Sequence, residues 1–161
     1  VETRNINSII NLNISAKNIS DLTGIEAFTQ LEDLNCNGNQ LTVLNIIQNT
    51  ALEHLNCGSN QLTGLDVSSL GSLKTLQCNS NAIVGLDLSN NTIMENLDCH
   101  QNSISSLVLS NGNNQNFIRI AAFYNPPLSC IQVDDPVWSE NNWTGTLFTF
   151  PEVFTFNNNC P

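Results

Sequence analysis

Apolar residues return along this chain on a 21-residue schedule. "LEDLNCNGNQLTVLNI" begins at Leu31, "LEHLNCGSNQLTGLDVS" at Leu52, "LKTLQCNSNAIVGLDLS" at Leu73 and "MENLDCHQNSISSLVLS" at Met94. With the first residue of each unit as position 1, apolar side chains fall at positions 1, 4, 6, 11, 14 and 16. In the second unit these are Leu52, Leu55, Cys57, Leu62, Leu65 and Val67. Positions 4 and 6 alternate with polar neighbours at 3, 5 and 7, the period of a short strand with one buried face. A unit this short cannot enclose its own apolar face. Stacking coil on coil buries it, and the strands of successive coils then line up as a parallel sheet with rungs about 4.8 Å apart. The pattern predicts a repeat solenoid with four regular repeats over 31–114. A looser unit, from Ile9 through Leu12, Ile14, Ile19 and Leu22, occupies 1–30. A divergent unit, from Phe117 through Ile120 and Ala122 to Asn125, opens the C-terminal segment 115–161.

Position 9 is asparagine in every regular unit: Asn39, Asn60, Asn81 and Asn102, with Asn125 in the divergent one. It follows the strand, where the chain turns inward. A carboxamide carries donors and an acceptor, so it can satisfy backbone groups that the turn leaves unpaired. Stacked coils make these residues a structural ladder. In the looser unit from Ile9, Lys17 stands where the asparagine is expected.

These residues resemble the leucine-rich repeat family, pattern LxxLxLxxNxL, over roughly 9–130. The length and the phrases "LDVS" and "LDLS" resemble its 21-residue bacterial subclass, LxxLxCxxNxLxxLDLSxN. The stretches "NISDLTGIEAFTQL", "NPPLSCIQVDD" and "NNWT" resemble modular secreted proteins of the Bacteroidetes. The resemblance implies an arc with a parallel sheet on its concave side and irregular or short-strand structure on its convex side. It also implies export to the cell surface or medium beside other domains. A fold of this kind hosts many functions and names no ligand.

The cysteines divide into two sets. Cys36, Cys57, Cys78 and Cys99 hold position 6, a core position in this repeat. They are expected as a column of buried free thiols, since buried cysteine behaves as a small hydrophobe. A tetrahedral zinc site needs sulfurs converging on one point, usually with C-x₂₋₄-C spacing, which is missing. Partial disulfide pairing is the other alternative, though parallel side chains make it awkward. Cys130 and Cys160 lie outside the repeat phase and are expected to form a disulfide in an exported protein. That bridge would staple a C-terminal cap over the apolar end of the last coil. "FTFPEVFTFNNNC", with Phe148, Phe150, Val153, Phe154 and Phe156, supplies the apolar payload, with Trp138 and Trp143 beside it. At the other end "VETRNINS" is too short for a helical cap, which suggests a trimmed fragment. An open strand edge there would permit homodimerisation or docking of a missing domain.

Charge and composition narrow the function. The chain has 14 acidic and 4 basic residues, a formal charge of −10. It lacks the basic footprint of a nucleic-acid binder, and no stretch reaches the ~18–20 apolar residues of a membrane span. Only 11% of residues are charged, and asparagine is abundant, which fits a secreted or surface protein. No metal or cofactor motif is evident. Asp134 and Asp135 in "VDDP" have two readings, a weak calcium site or turn and cap formation. Catalysis lacks its parts. Glu32, Glu53 and Glu95 form a solvated row at position 2 with Lys74, and His100 beside Cys99 points to the opposite face.

What remains is the outward strand face. Its candidate binding residues are Asn35, Asn37, His54, Asn56, Gln77, Asn79, Asp98 and His100, with Arg119, Phe123 and Tyr124 at the C-terminal side. Amides suit sugar hydroxyls or a polar protein surface, and an exposed aromatic gives an anchor. The expectation is a non-catalytic extracellular binding module for a protein or polysaccharide. The alternative is a structural spacer without its own ligand.

Overall fold

The computed structural model describes residues 8–160. In chain order its elements are β1 (Asn11–Asn13), β2 (Asp33–Asn35), β3 (His54–Asn56), β4 (Thr75–Gln77), β5 (Gly85–Asp87), β6 (Asn96–Asp98), β7 (Ser106–Val108), β8 (Arg119–Ala121), β9 (Cys130–Gln132), α1 (Pro136–Asn142), β10 (Phe148–Thr149) and β11 (Thr155–Asn157). Seven strands form one parallel sheet in the order β1-β2-β3-β4-β6-β8-β10. Four form a second, in the order β11-β9-β7-β5. The chain is a parallel solenoid, and each coil adds one rung to the first sheet. Register follows the repeat, so Leu34 pairs with Leu55, Leu55 with Leu76, and Leu76 with Leu97. The second sheet covers only the C-terminal half of the opposite side. The expectation for 1–7, including a trimmed cap, lies outside the described residues.

The core fills the space between the two sides. Positions 1, 4, 6 and 11 are buried in every regular coil, and Cys36, Cys57, Cys78 and Cys99 are fully enclosed and unbridged. The asparagine ladder links successive coils. Asn102 donates through Nδ2 to the carbonyls of Cys78 and Cys99, each at 3.1 Å, and its Oδ1 accepts from the Ile83 N–H at 3.0 Å. Asn60, Asn81 and Asn125 repeat this pattern. Asn39 also serves the coil that has Lys17 instead, accepting from the N–H groups of Lys17 and Ile19.

A second set of buried asparagines lies on the far side. Asn91 donates to the carbonyls of Val67 and Leu70, and Asn49 to those of Ile25 and Phe28. The sequence gives a faint signal for it: asparagine recurs at position 19 in units one and three, but Leu70 interrupts the series. The "LDVS" and "LDLS" phrases each end in a local turn, in which Asp66 and Asp87 accept from the N–H groups of Ser68 and Ser89, the second directly after β5.

The cap prolongs both sheets. β10 pairs with β8 and β11 with β9, while Trp143 is buried among Phe117, Phe148, Phe150 and Phe156. Val153 departs from the expected payload. It lies in the turn between β10 and β11 and is 83% exposed, because the strands on either side direct their phenylalanines inward instead. The Cys130–Cys160 disulfide ties the end of the chain to the start of β9 across 30 residues. Closing a loop of that length stabilises the folded chain by about 3–4 kcal/mol in the chain-entropy model. A Cys130→Ser/Cys160→Ser variant is expected to lose that much in urea unfolding. Its β10 and β11 amides should exchange with deuterium before those of β2–β6. Equal exchange across both regions would show that the bridge does not hold the cap.

Candidate functional site

The outward side chains of the seven-stranded sheet form three rows, at positions 3, 5 and 7. A shallow groove of about 380 Å³ runs over β1–β4 between Asn11 and Gln77. His54 is exposed in it, while Asn35, Asn56 and Gln77 are half-buried.

The position-5 asparagines are oriented by their own backbone. Asn35 Oδ1 accepts from the Asn37 N–H and Asn56 Oδ1 from the Gly58 N–H, each at 3.1 Å. Asn13 does the same for Ser15. These are Asx turns, which hold the carboxamide in place at the strand end. The oxygen of each is thereby occupied. Position 7 carries a different device at Gly58. A β-carbon there would lie 2.9 Å from Asn37 Nδ2 and 2.7 Å from Asn79 Oδ1. The missing side chain lets a donor and an acceptor from the flanking coils close over the glycine.

At the C-terminal side the face changes character. Asp98 is only 8% exposed. Its carboxylate holds His100, with Nδ1 at 2.5 Å from Oδ1, and Arg119, with Nη2 at 3.5 Å from Oδ2. The sequence placed Asp98 on the open face; here it lies beneath two side chains that it fixes. The His100 ring stacks on Phe123 with centroids 4.6 Å apart, and Tyr124 meets Phe123 edge-on at 5.0 Å. Tyr124 is 71% exposed and has φ 54°. Position 8 is left-handed in each coil, where Gly38, Ser59, Ser80 and Gln101 stand in turn. A large aromatic in that conformation is unusual and costs on the order of 1–2 kcal/mol. Sequence spacing placed Phe123 and Tyr124 on the face, but it did not show that they join His100 and Asp98.

Chemistry is sparse on this surface. His100 and Cys99 point to opposite faces, with the thiol fully buried and the ring bonded to Asp98. Lys74 and Glu53 form an ion pair at 2.5 Å, whose hydrogen bond lowers the Glu53 pKa and raises that of Lys74. Among the described residues, no group of three or more His, Cys, Asp or Glu is arranged to hold a metal ion. Asp134 accepts from the N–H groups of Gly112 and Asn114, and Asp135 caps α1 by accepting from the Trp138 N–H. Both carboxylates therefore serve turn and cap formation. Among the described residues no helix is long and apolar enough to cross a membrane.

Solved structures share this architecture. The functional domain of InlJ from Listeria monocytogenes, described as including a cysteine ladder, aligns with a TM-score of 0.76 and 26% identity, covering 96% of this chain and 40% of that one. The fold is a leucine-rich-repeat solenoid. Internalin C2 from Listeria monocytogenes aligns with a TM-score of 0.56 and 17% identity, covering 98% of this chain and 84% of that one. Internalin InlF from the same species gives 0.53 and 20%, covering 98% and 64%. The leucine-rich-repeat chain thus spans about two fifths of the length of the InlJ domain. No family model matches the sequence, and no curated protein does.

Proposed function

We propose that this leucine-rich-repeat solenoid is a non-catalytic extracellular binding module that receives its partner on the strand face. The observation that carries the reading is the exposed Tyr124, held at positive φ beside the His100–Phe123 stack. The left-handed turn belongs to every coil, but only this one places a large exposed aromatic there, where glycine, serine and glutamine stand in the regular coils and a mere spacer would need no more. Rigid strands hold the neighbouring amides, so little ordering is lost on binding. The internalin-like fold, the disulfide and the asparagine-rich, acidic surface support an extracellular setting.

The test is a binding screen against extracellular proteins and polysaccharides. It compares the natural chain with Asn56→Arg/Tyr124→Glu, after circular dichroism shows both folded. A partner captured by the natural chain and weakened at least tenfold in the variant is the expected result. Partners shared equally by both proteins would favour the spacer reading.

A further inference from the structure

We infer that a cavity between the last coil and the cap receives a basic side chain, arginine or lysine, from a protein partner. The inference rests on the binding reading above and names the chemistry of the partner. The cavity lies where the solenoid opens at its last rung. In the regular coils the N–H of position 8 donates to the position-7 carbonyl of the next coil: Ser59 to Asn79 at 2.8 Å, Ser80 to His100 at 3.0 Å and Gln101 to Phe123 at 3.1 Å. Register continues into the cap, where Phe148 pairs with Ile120 and Thr149 with Ala121. By that register Pro151 takes position 7 and Val153 takes position 9. The corresponding bond from the Tyr124 N–H to the Pro151 carbonyl is not made. Valine also stands where the next asparagine of the ladder would be. Without either link the turn after β10 departs from the loop after β8, and a cavity of about 430 Å³ lies between them.

The lining combines an apolar wall with unspent polar groups. Phe123, Pro126, Phe150 and Pro151 supply the wall, and Glu152 and Tyr124 stand with them. Glu152 is the only charged residue of the lining among the described residues. Its carboxylate makes no hydrogen bond or ion pair there, and the Tyr124 hydroxyl makes no hydrogen bond. Asn125, by contrast, is spent: Nδ2 serves the Cys99 and Ala122 carbonyls and Oδ1 the Ile104 N–H. An acidic side chain would be repelled by Glu152 and by the net charge of −10. A purely apolar one would take water from the carboxylate and give nothing back. Arginine and lysine satisfy both halves. Their methylene stems pack along apolar surface while the charged head stays at the wet rim. A head with several N–H donors meets the carboxylate and the phenol oxygen together. The walls are in place beforehand, since β10 and β11 flank the turn and pair with β8 and β9.

The experiment is an NMR titration with blocked peptides Gly-Ser-X-Ser-Gly, in which X is arginine, lysine, citrulline or glutamate. Expected are shifts of the Tyr124, Asn125, Glu152 and Val153 amide signals, with dissociation constants of about 1–10 mM for the arginine and lysine peptides. Citrulline, the uncharged isostere of arginine, should bind about threefold to fivefold more weakly, the factor of an exposed ion pair. Glutamate should not bind. Glu152→Gln, which breaks no contact of the fold, should weaken the arginine peptide by the same factor while its spectrum stays that of the folded chain. Equal affinity for arginine and citrulline overturns the inference, and so does unchanged affinity in Glu152→Gln. So does the absence of shifts at these amides with about 20 mM peptide. If the basic peptides fail while the screen captures a partner sensitive to Asn56→Arg/Tyr124→Glu, the cavity inference fails alone. If the peptides fail and the screen captures none, the binding reading fails with it.

Discussion

Between pH 9 and 11 this protein is expected to lose its fold steeply, and the buried thiols are the reason. Burial pushes the Cys36 thiol up to about 12 and raises Cys57, Cys78 and Cys99 as well. In an unfolded chain a thiol ionises near 8.5. A group whose folded pKa is raised stabilises the fold fully below its unfolded value, and that stability is lost as pH rises toward the folded one. Each proton bound by the folded state and absent from the unfolded state costs about 1.4 kcal/mol per pH unit. Four thiols together cost about 5 kcal/mol per unit above pH 9, against a total stability of roughly 5–15 kcal/mol for an ordinary domain. The slope depends only on the direction of the shifts while the pH stays below the folded values. Thiolates released by unfolding would then attack the Cys130–Cys160 bridge, so recovery on acidification should be incomplete. The measurement is urea unfolding followed by circular dichroism from pH 7 to 11. A midpoint that stays constant to pH 10.5 would contradict the account. In the single variant Cys57→Ala the slope should fall by about a quarter.

The second large effect is the same substitution read at two positions. Asn102→Asp should destabilise the fold by about 3–5 kcal/mol, whereas Asn35→Asp should change it by less than about 1 kcal/mol. Asn102 is 7% exposed and gives both of its N–H bonds to buried carbonyls. A carboxylate there would set oxygen against oxygen and bury a charge beside them. Asn102→Ala is milder, at about 3 kcal/mol, because the Cys78 and Cys99 carbonyls keep Asn81 and Asn125 as donors. The Ile83 N–H then loses Asn102 Oδ1, its acceptor. At position 35 only the turn oxygen matters to the fold, and aspartate supplies it. Asp98 accepts from the His100 N–H in the same way one turn pattern along. Urea midpoints of the three variants check the order. A cost at Asn35 equal to that at Asn102 would mean that the two rows have been assigned the wrong roles.

The contrast between these rows marks the limit of what the sequence shows. Strict spacing identified position 9 as structural, because one residue type recurs where every coil makes the same turn. It also identified the buried thiol column and the pairing of Cys130 with Cys160. Position 5 gave a weaker signal. Asparagine there reads as an exposed polar residue suited to binding, and nothing in the spacing shows that its oxygen is bonded to the backbone two residues later. Val153 misled for a related reason. Its apolar character matches its neighbours, yet it falls in a turn where no coil covers it.

The sequence by itself determined the period, and with it the parallel register, the composition of the core columns and the place of the cap. Those follow because a repeated unit has one way to bury a repeated apolar face. Tertiary structure alone decided how residues of different coils meet. The Asp98 carboxylate joins Arg119, the His100 ring lies on Phe123, and Asn37 and Asn79 close over Gly58. It also confined the second sheet to the C-terminal half. These contacts depend on side-chain directions a whole coil apart in sequence, which a pattern of residue types along one chain does not encode.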